Sequence, residues 1–272
     1  MHVSGMKQEP VQEVSGAALA VYRGHSPSCP IWSVAFAPCG YYFASAASDG
    51  TGRIFTTDRP SPVRILSGHT SASVNTISWH PNCNYVLTGC DDKTVRMWDI
   101  QSGRCVRLLN GCGNGINVVR VSPSGRYAAA ADYSGFIHLW DIGSGKKVNE
   151  LRPLPAAVFD PLGMASNMIH ALSFSSCGTA LAAGGDDCVV RIWDVRGAGN
   201  HMTNPGFAQQ QGWGEGAVGA KSVPVPESKR PGTMRPHKVF PTRRTVLLDL
   251  NYTKRNLLLS VGKYTTPVPL VT

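Results

Sequence analysis

The chain has 272 residues, is 42% hydrophobic and 16% charged, and carries eight cysteines and a formal net charge of +9. That is long enough for one large domain with a substantial core. No stretch approaches the roughly 18–20 apolar residues of a membrane helix, and the first residues lack the basic-then-apolar layout of a secretory signal. The cysteines form neither CxxC pairs nor a zinc spacing with histidine. These features exclude the membrane-spanning, disulfide-framework and zinc-finger classes. They predict reduced thiols in a cytosolic or nuclear setting.

In chain order, residues 1–16 carry no periodic signal and are expected to be unstructured, and Ala17–Tyr22 is a short apolar run of strand type. Four segments then share one pattern. Each opens on an alternating run: Ile31–Phe36, Val74–Trp79, Ile116–Val121 and Ile169–Phe174. Each ends on an aromatic position, at Phe55, Trp98, Trp140 and Trp193, the last three followed by Asp. The intervals are 43, 42 and 53 residues, the last stretched by the insertion Leu151–Ser166. Runs such as VNTISW and TVRMWD alternate apolar and polar residues, as half-buried strands do. Pro38-Cys39-Gly40, Pro81-Asn82, Pro123-Ser124-Gly125 and Ser176-Cys177-Gly178 supply the turns between them. A period of 40–45 residues with Gly-His and Trp-Asp marks is the WD40 pattern of four strands per propeller blade.

The expected architecture is therefore all-β: a WD40 β-propeller with four full repeats over residues 17–196 and a partial fifth over 237–264, and resemblance to WD-repeat propellers that are usually seven-bladed implies an incomplete portion of a seven-bladed ring. Gly197–Pro236 is rich in Gly, Pro, Gln and Ser and is expected to be a flexible insertion, and 265–272 a tail. Thr245–Tyr252 and Asn256–Val261 read as the inner two strands of the fifth blade.

Resemblance to WD repeats implies an internal hydrogen-bond set of His, Ser or Thr, Asp and Trp in each blade. Such groups must be present together, because a lone member would be a buried orphan. Repeat two has the full set at His69, Thr88, Asp92 and Trp98. Repeat one has His25, Ser45 and Asp49, with Phe55 for Trp. Repeat three keeps Trp140, while Cys112, Ala130 and Ser134 replace the others. Repeat four keeps Asp187 and Trp193, with Met164 and Ala183 at the remaining places. No GxSxG, P-loop or HExxH sequence is present, and Gly184-Gly185-Asp186-Asp187 reads as a tight turn rather than a phosphate loop. The expectation is no catalytic, metal or cofactor site.

Stretches outside the generic repeat carry a narrower resemblance. They are Pro38–Ser45 (PCGYYFAS), Thr57-Asp58-Arg59 with Pro62–Ile65, Trp79–Tyr85 (WHPNCNY) with Cys105-Val106-Arg107, Phe240-Pro241-Thr242 and Thr253–Leu258. Over about residues 22–264 the chain is similar to the WD-repeat region of the subunit-5 family of TATA-binding-protein-associated factors, found in the general transcription factor TFIID, with a paralogue in SAGA-type complexes. That resemblance implies a nuclear, non-catalytic scaffold for RNA polymerase II initiation. Its partners would be histone-fold factors and other TATA-binding-protein-associated subunits, with no membrane and no small-molecule substrate. The alternative is a substrate-recognition or histone-reading propeller, for example a ubiquitin-ligase receptor.

Charge adds one candidate surface. Residues 221–272 hold ten Lys/Arg against Glu227 and Asp249, a net of +8, while the preceding 220 hold 16 basic and 15 acidic side chains. Lys229, Arg230, Arg235, Lys238, Arg243 and Arg244 are the expected edge for an acidic protein surface, or for weak, non-specific phosphate contact with nucleic acid. The competing reading is a solvated loop with no ligand.

Overall fold

A computed structural model describes residues 20–70, 73–152, 168–196, 233–234, 236–242 and 245–264. Every regular element among them is a β-strand. Blade one is the meander β1 (Ile31–Phe36), β2 (Tyr42–Ala47), β3 (Gly52–Thr56) and β4 (Arg64–Leu66). Blade two repeats it with β5 (Val74–Trp79), β6 (Tyr85–Cys90), β7 (Val95–Asp99) and β8 (Cys105–Leu109). Blade three is β9 (Ile116–Val121), β10 (Tyr127–Asp132), β11 (Ile137–Asp141) and β12 (Lys147–Leu151). Blade four begins with β13 (Ile169–Phe174), β14 (Ala180–Gly185) and β15 (Val189–Asp194). The first strand of each sheet lies beside the first strand of the next, so the blades follow one another around an arc of a β-propeller.

Two expectations are corrected at the C-terminal side. The insertion expected over 197–236 contains a short strand, β16 (Thr233–Met234), which pairs in parallel with β12 as a fifth strand of blade three. The partial blade expected from residue 237 starts later, because β17 (Lys238–Pro241) pairs with β15 as the outer strand of blade four. An exposed outer edge has open N–H and C=O groups, and both segments satisfy such an edge. The fifth sheet is the pair β18 (Thr245–Tyr252) and β19 (Leu258–Tyr264). At the other end, Ala20–Tyr22 form no strand; Tyr22 instead packs edge-on against Phe43 and Phe55 and donates from its hydroxyl to Thr57 O at 2.8 Å.

Strand alternation explains how the blades stack. Along β6, Val86 and Cys90 enter the core shared with blade one, while Leu87 enters the core shared with blade three. Along β10, Ala128 and Ala130 face blade two, and Ala129 and Ala131 face blade four. A period of two thus buries both faces of a middle strand, and the run of four alanines lets the flanking sheets approach. Trp98, Trp140 and Trp193 are buried in these inter-blade cores. Side-chain hydrogen bonds stitch the inner strands at a fixed offset. Asn75 Nδ2 donates to Ile116 O of the next blade at 2.9 Å, and Asn117 Nδ2 donates to Ile169 O at 2.6 Å. Ser33 Oγ accepts from Ile77 N at 3.4 Å, and Thr76 Oγ1 accepts from Val119 N at 3.3 Å.

Candidate interaction surface

Within blade two the expected quartet forms a chain of contacts. A carboxylate only accepts, so His69 Nδ1 donates to Asp92 Oδ2, at 2.8 Å. His69 Nε2 then accepts from the Thr88 hydroxyl at 2.7 Å, and Thr88 Oγ1 accepts from Trp98 Nε1 at 2.8 Å. Asp92 Oδ1 also holds the turn, accepting from Thr94 N at 3.0 Å and from the Thr94 hydroxyl at 2.6 Å. Burial opposes the charge on Asp92, but hydrogen bonds from Thr94 and His69 outweigh it and hold the carboxyl at about 2. Burial depresses the His69 pKa, against the pull of Asp92. Blade one brings together His25, Asp49 and Ser45 in the same way, at 2.8 and 2.6 Å, and Asp49 is likewise held at about 2 because hydrogen bonds from Thr51 and His25 outweigh its burial. Phe55 stacks on Phe43 where the other blades bury Trp.

Blade three differs from the expectation of simple joint loss. Its polar site is filled by other residues. Asp132, two residues before Ser134, is buried and receives His138 Nε2 on Oδ2 at 3.1 Å. Its Oδ1 accepts from Ser134 N at 3.0 Å and Phe136 N at 3.1 Å, so it holds the same turn that Asp92 holds in blade two. Glu150 Oε2 lies 3.7 Å from His138 Nδ1. Trp140 Nε1 finds a new acceptor, Asn110 O at 3.1 Å, in place of the hydroxyl lost at Ala130. Cys112 is pushed up to about 12 by burial and packs against the core shared by blades two and three.

Blade four solves the problem a third way. Asp187 pairs with the guanidinium of buried Arg191 and accepts from Val189 N at 3.2 Å. Among the described residues no acceptor reaches Trp193 Nε1, and Met164 lies outside them. One signal for blades three and four was present in the sequence: a basic residue stands two places before the aromatic in every blade, at Arg53, Arg96, His138 and Arg191. In blades one and two that arginine stands 3.6 and 3.8 Å from the Asp, beside the histidine. Where the histidine position has changed, the basic residue takes over.

Ligand atoms of His69, Cys90 and Asp92 lie within 4.8 Å of one another. Both His69 nitrogens are in the hydrogen bonds given above, and burial pushes the Cys90 thiol up to about 12. The chemistry of this trio is that of an internal network.

Of the basic edge, Lys238 is described, half-buried in β17 beside Ile192. Lys229, Arg230, Arg235, Arg243 and Arg244 lie outside the described residues.

Three surfaces are visible that sequence reasoning missed. At the inner mouth, Asn75 Nδ2 donates to Asp91 Oδ1 at 2.6 Å, and the Tyr133 hydroxyl donates to the same oxygen at 2.7 Å. Next to it, His170 Nε2 meets Asp186 Oδ1 at 2.7 Å. Both groups combine the second residue of an inner strand with the residue just after a second strand, an offset readable from the repeats. On the opposite face, a groove of about 690 Å³ opens between blades two and three, bordered by His80, Tyr85, Arg107, Arg126 and Asp141. The end sheets of the arc expose apolar side chains: Trp32, Val34 and Phe36 on β1, and Leu248, Leu259 and Val261 on β18 and β19.

Consecutive four-stranded meanders, joined inner strand to inner strand and each carrying a buried polar set, define a propeller of repeat type. The chain belongs to the WD domain, G-beta repeat family, whose pattern matches residues 16–56, 60–99, 103–141 and 162–194. Among curated proteins it is 29% identical over 232 residues to transcription initiation factor TFIID subunit 5 of Caenorhabditis elegans, covering 85% of this chain and 32% of that protein. It is 27% identical over 166 residues to nuclear distribution protein nudF of Aspergillus niger, covering 57% of this chain and 37% of that protein. It is 26% identical over 209 residues to THO complex subunit 3 of Arabidopsis thaliana, covering 64% and 65%. The chain thus spans about a third of the length of the first two relatives.

Proposed function

We propose that this chain is a non-catalytic scaffold of a nuclear transcription-initiation assembly of the TFIID type, or of a SAGA-like coactivator, and acts by packing against other subunits. The observation that carries this reading is the similarity to TFIID subunit 5 across 85% of the chain. The stretches outside the generic repeat support it. PCGYYF and HPNCNY lie on the first turns of blades one and two, where Tyr41 is exposed, Tyr42 stacks on Trp79 and His80 Nε2 reaches Gly125 O of blade three at 3.0 Å. Contiguous apolar surface such as that of β1 and β19 is what a scaffold buries against neighbours. The polar sets of the four blades are engaged in holding the fold: the Ser45–His25–Asp49 and Thr88–His69–Asp92 chains join a hydroxyl to an imidazole and a carboxylate, but Ser45 and Thr88 are buried, which places these hydroxyls in the blade interior rather than in reach of a substrate.

Affinity purification of the tagged chain from its own nuclei, with quantitative mass spectrometry, is the test. Stoichiometric recovery of TATA-binding-protein-associated subunits is the expected result. Recovery of cullin-ligase components instead would replace this reading with the substrate-receptor one. The basic segment has its own test within the same proposal: reversing Arg243 and Arg244 to Glu should weaken partner binding most at low salt, because exposed charges are screened over about 10 Å at 0.1 M. Unchanged binding at both low and high salt would mean that these side chains are merely solvated.

A further inference from the structure

The first turns of successive blades meet along one face, and the fourth residue of each turn has a left-handed backbone. Gly40, Gly125 and Gly178 fill that position with φ of 74°, 73° and 71°. Blade two places Cys83 there, at φ 61°, and blade five places Asn256, at φ 58°. A side chain in this conformation is disfavoured, so an occupied position asks for a reason. Neighbouring junctions show where it points. Asn256 Oδ1 accepts from Ser176 N at 2.9 Å and from Ser176 Oγ at 2.6 Å, and its Nδ2 lies 3.9 Å from Cys177 Sγ on the turn of blade four. A β-carbon at Gly125 would meet the His80 ring of blade two at 2.5 Å. The fourth position therefore reaches back to the turn of the preceding blade. For Cys83 that turn carries Cys39, and the two side chains meet across the junction of blades one and two. Cys39 is exposed; Cys83 is half-buried against the core that also holds Ala37 and Tyr42.

We propose that Cys39 and Cys83 form a reversible disulfide between blades one and two, closed by a hydroperoxide and reopened by a small thiol. The two sulfurs have different roles. Backbone N–H donation from Tyr41, with lesser help from Tyr42 and Cys83, holds the Cys39 thiol below its usual range. Burial, together with the nearby Cys39, holds the Cys83 thiol above it. Redox-sensing pairs have this form, an accessible thiolate beside a resolving thiol. The Cys39 thiolate attacks the terminal oxygen of the hydroperoxide; the O–O bond breaks, the alkoxide or hydroxide leaves and takes up a proton, and Cys39 becomes a sulfenic acid. Cys83 sulfur then attacks Cys39 sulfur, the S–S bond forms, and the sulfenic oxygen departs as water with the Cys83 proton. Two electrons pass from the thiols to the peroxide, and two from an external small thiol, supplied by two equivalents of a monothiol or one of a dithiol, restore both thiols. Cys177 is an internal control. Hydroxyls of Ser175 and Thr179 hold it at about 7, but it faces Asn256 rather than a thiol.

The experiment treats the full chain with graded hydrogen peroxide, alkylates it, and maps disulfides after non-reducing digestion. The expected product is a Cys39–Cys83 linked peptide pair that disappears with dithiothreitol, while Cys177 is oxidised without that linkage. Cys83→Gly places the residue preferred at this backbone conformation, so it keeps the turn while removing the resolving sulfur. In that variant dimedone should trap Cys39 sulfenic acid. In Cys39→Ser the linked pair should be lost. Wild-type chain in which Cys39 stays a thiol, proceeds to sulfinic acid, or links chiefly to another cysteine would overturn the proposal.

Discussion

Blades two and three have the same meander and the same core alternation, yet they satisfy their buried polar sites with different residues. Blade two uses His69, Thr88, Asp92 and Trp98. Blade three uses Asp132 and His138, with Glu150 nearby, and sends its Trp140 indole to the Asn110 carbonyl. The comparison teaches that what a blade requires is mutual satisfaction of the set, not any one residue. A carboxylate must hold the turn before the third strand, a cation or imidazole must face that carboxylate, and a buried indole N–H seeks an acceptor. Blade four, with Asp187 and Arg191, meets the first two demands without the third.

The largest expected effect is removal of one partner from a satisfied set. Asp92→Ala in blade two and Asp132→Ala in blade three should each cost about 1–3 kcal/mol, because each leaves a buried donor unpaired. Cys112→Ala, at the histidine position of blade three, should cost well under half of either. Urea denaturation of the three variants checks this; a Cys112 effect equal to that of Asp92 would erase the distinction between the blades.

Acid should weaken blade two by two routes. The folded-state pKa of Asp92 is held at about 2, below the unfolded value of roughly 3.9, so its contribution is fully present above about pH 4 and is lost as pH falls toward 2. The folded-state pKa of His69 is also lowered, so the unfolded chain takes up a proton first and stability declines as pH drops below roughly 6.5. Melting temperatures at pH 7, 5 and 3 for wild type and a His69→Gln, Asp92→Asn double variant should show a shallower acid decline in the variant. Parallel curves would contradict the assignment.

A smaller effect separates the tryptophans. Trp98→Phe leaves the Thr88 oxygen without its donor and should cost more than Trp193→Phe, whose indole N–H has no acceptor among the described residues. Both changes keep an aromatic ring in the core, and blade one already tolerates Phe55 there. Equal losses of stability would show that packing alone decides this position.

Much of this was legible in the amino-acid order. The recurrence of Phe55, Trp98, Trp140 and Trp193, with alternating runs between turns, gives four blades and the place of each inner strand. The strands on Thr245–Tyr252 and around Leu258 were also readable. The outer strand of blade four was not, because Lys238–Pro241 is short and separated by a long insertion, and only pairing with β15 makes it a strand. Asp132 was missed for a different reason. Alignment by position places Ser134 at the carboxylate site, whereas a side chain two residues earlier reaches the same turn amides. The mouth group Asn75–Asp91–Tyr133 draws Tyr133 from the next blade, a contact that a single repeat does not contain, whereas His170–Asp186 lies within blade four at the same offset as Asn75–Asp91 and was overlooked because nothing in the generic repeat pattern marks that offset.

Transplanting one blade's solution into the other tests the central claim most directly. The variant His69→Cys, Thr88→Ala, Asp92→Ser removes the polar set of blade two. Adding Cys90→Asp and Arg96→His supplies, at the matching positions, the pair that blade three uses. Measured by urea denaturation, the five-fold variant should recover at least half of the stability lost by the three-fold one, since joint exchange of buried partners can be nearly neutral whereas orphaning one is not. A five-fold variant no more stable than the three-fold one would show that the two blades are not interchangeable solutions to the same buried site.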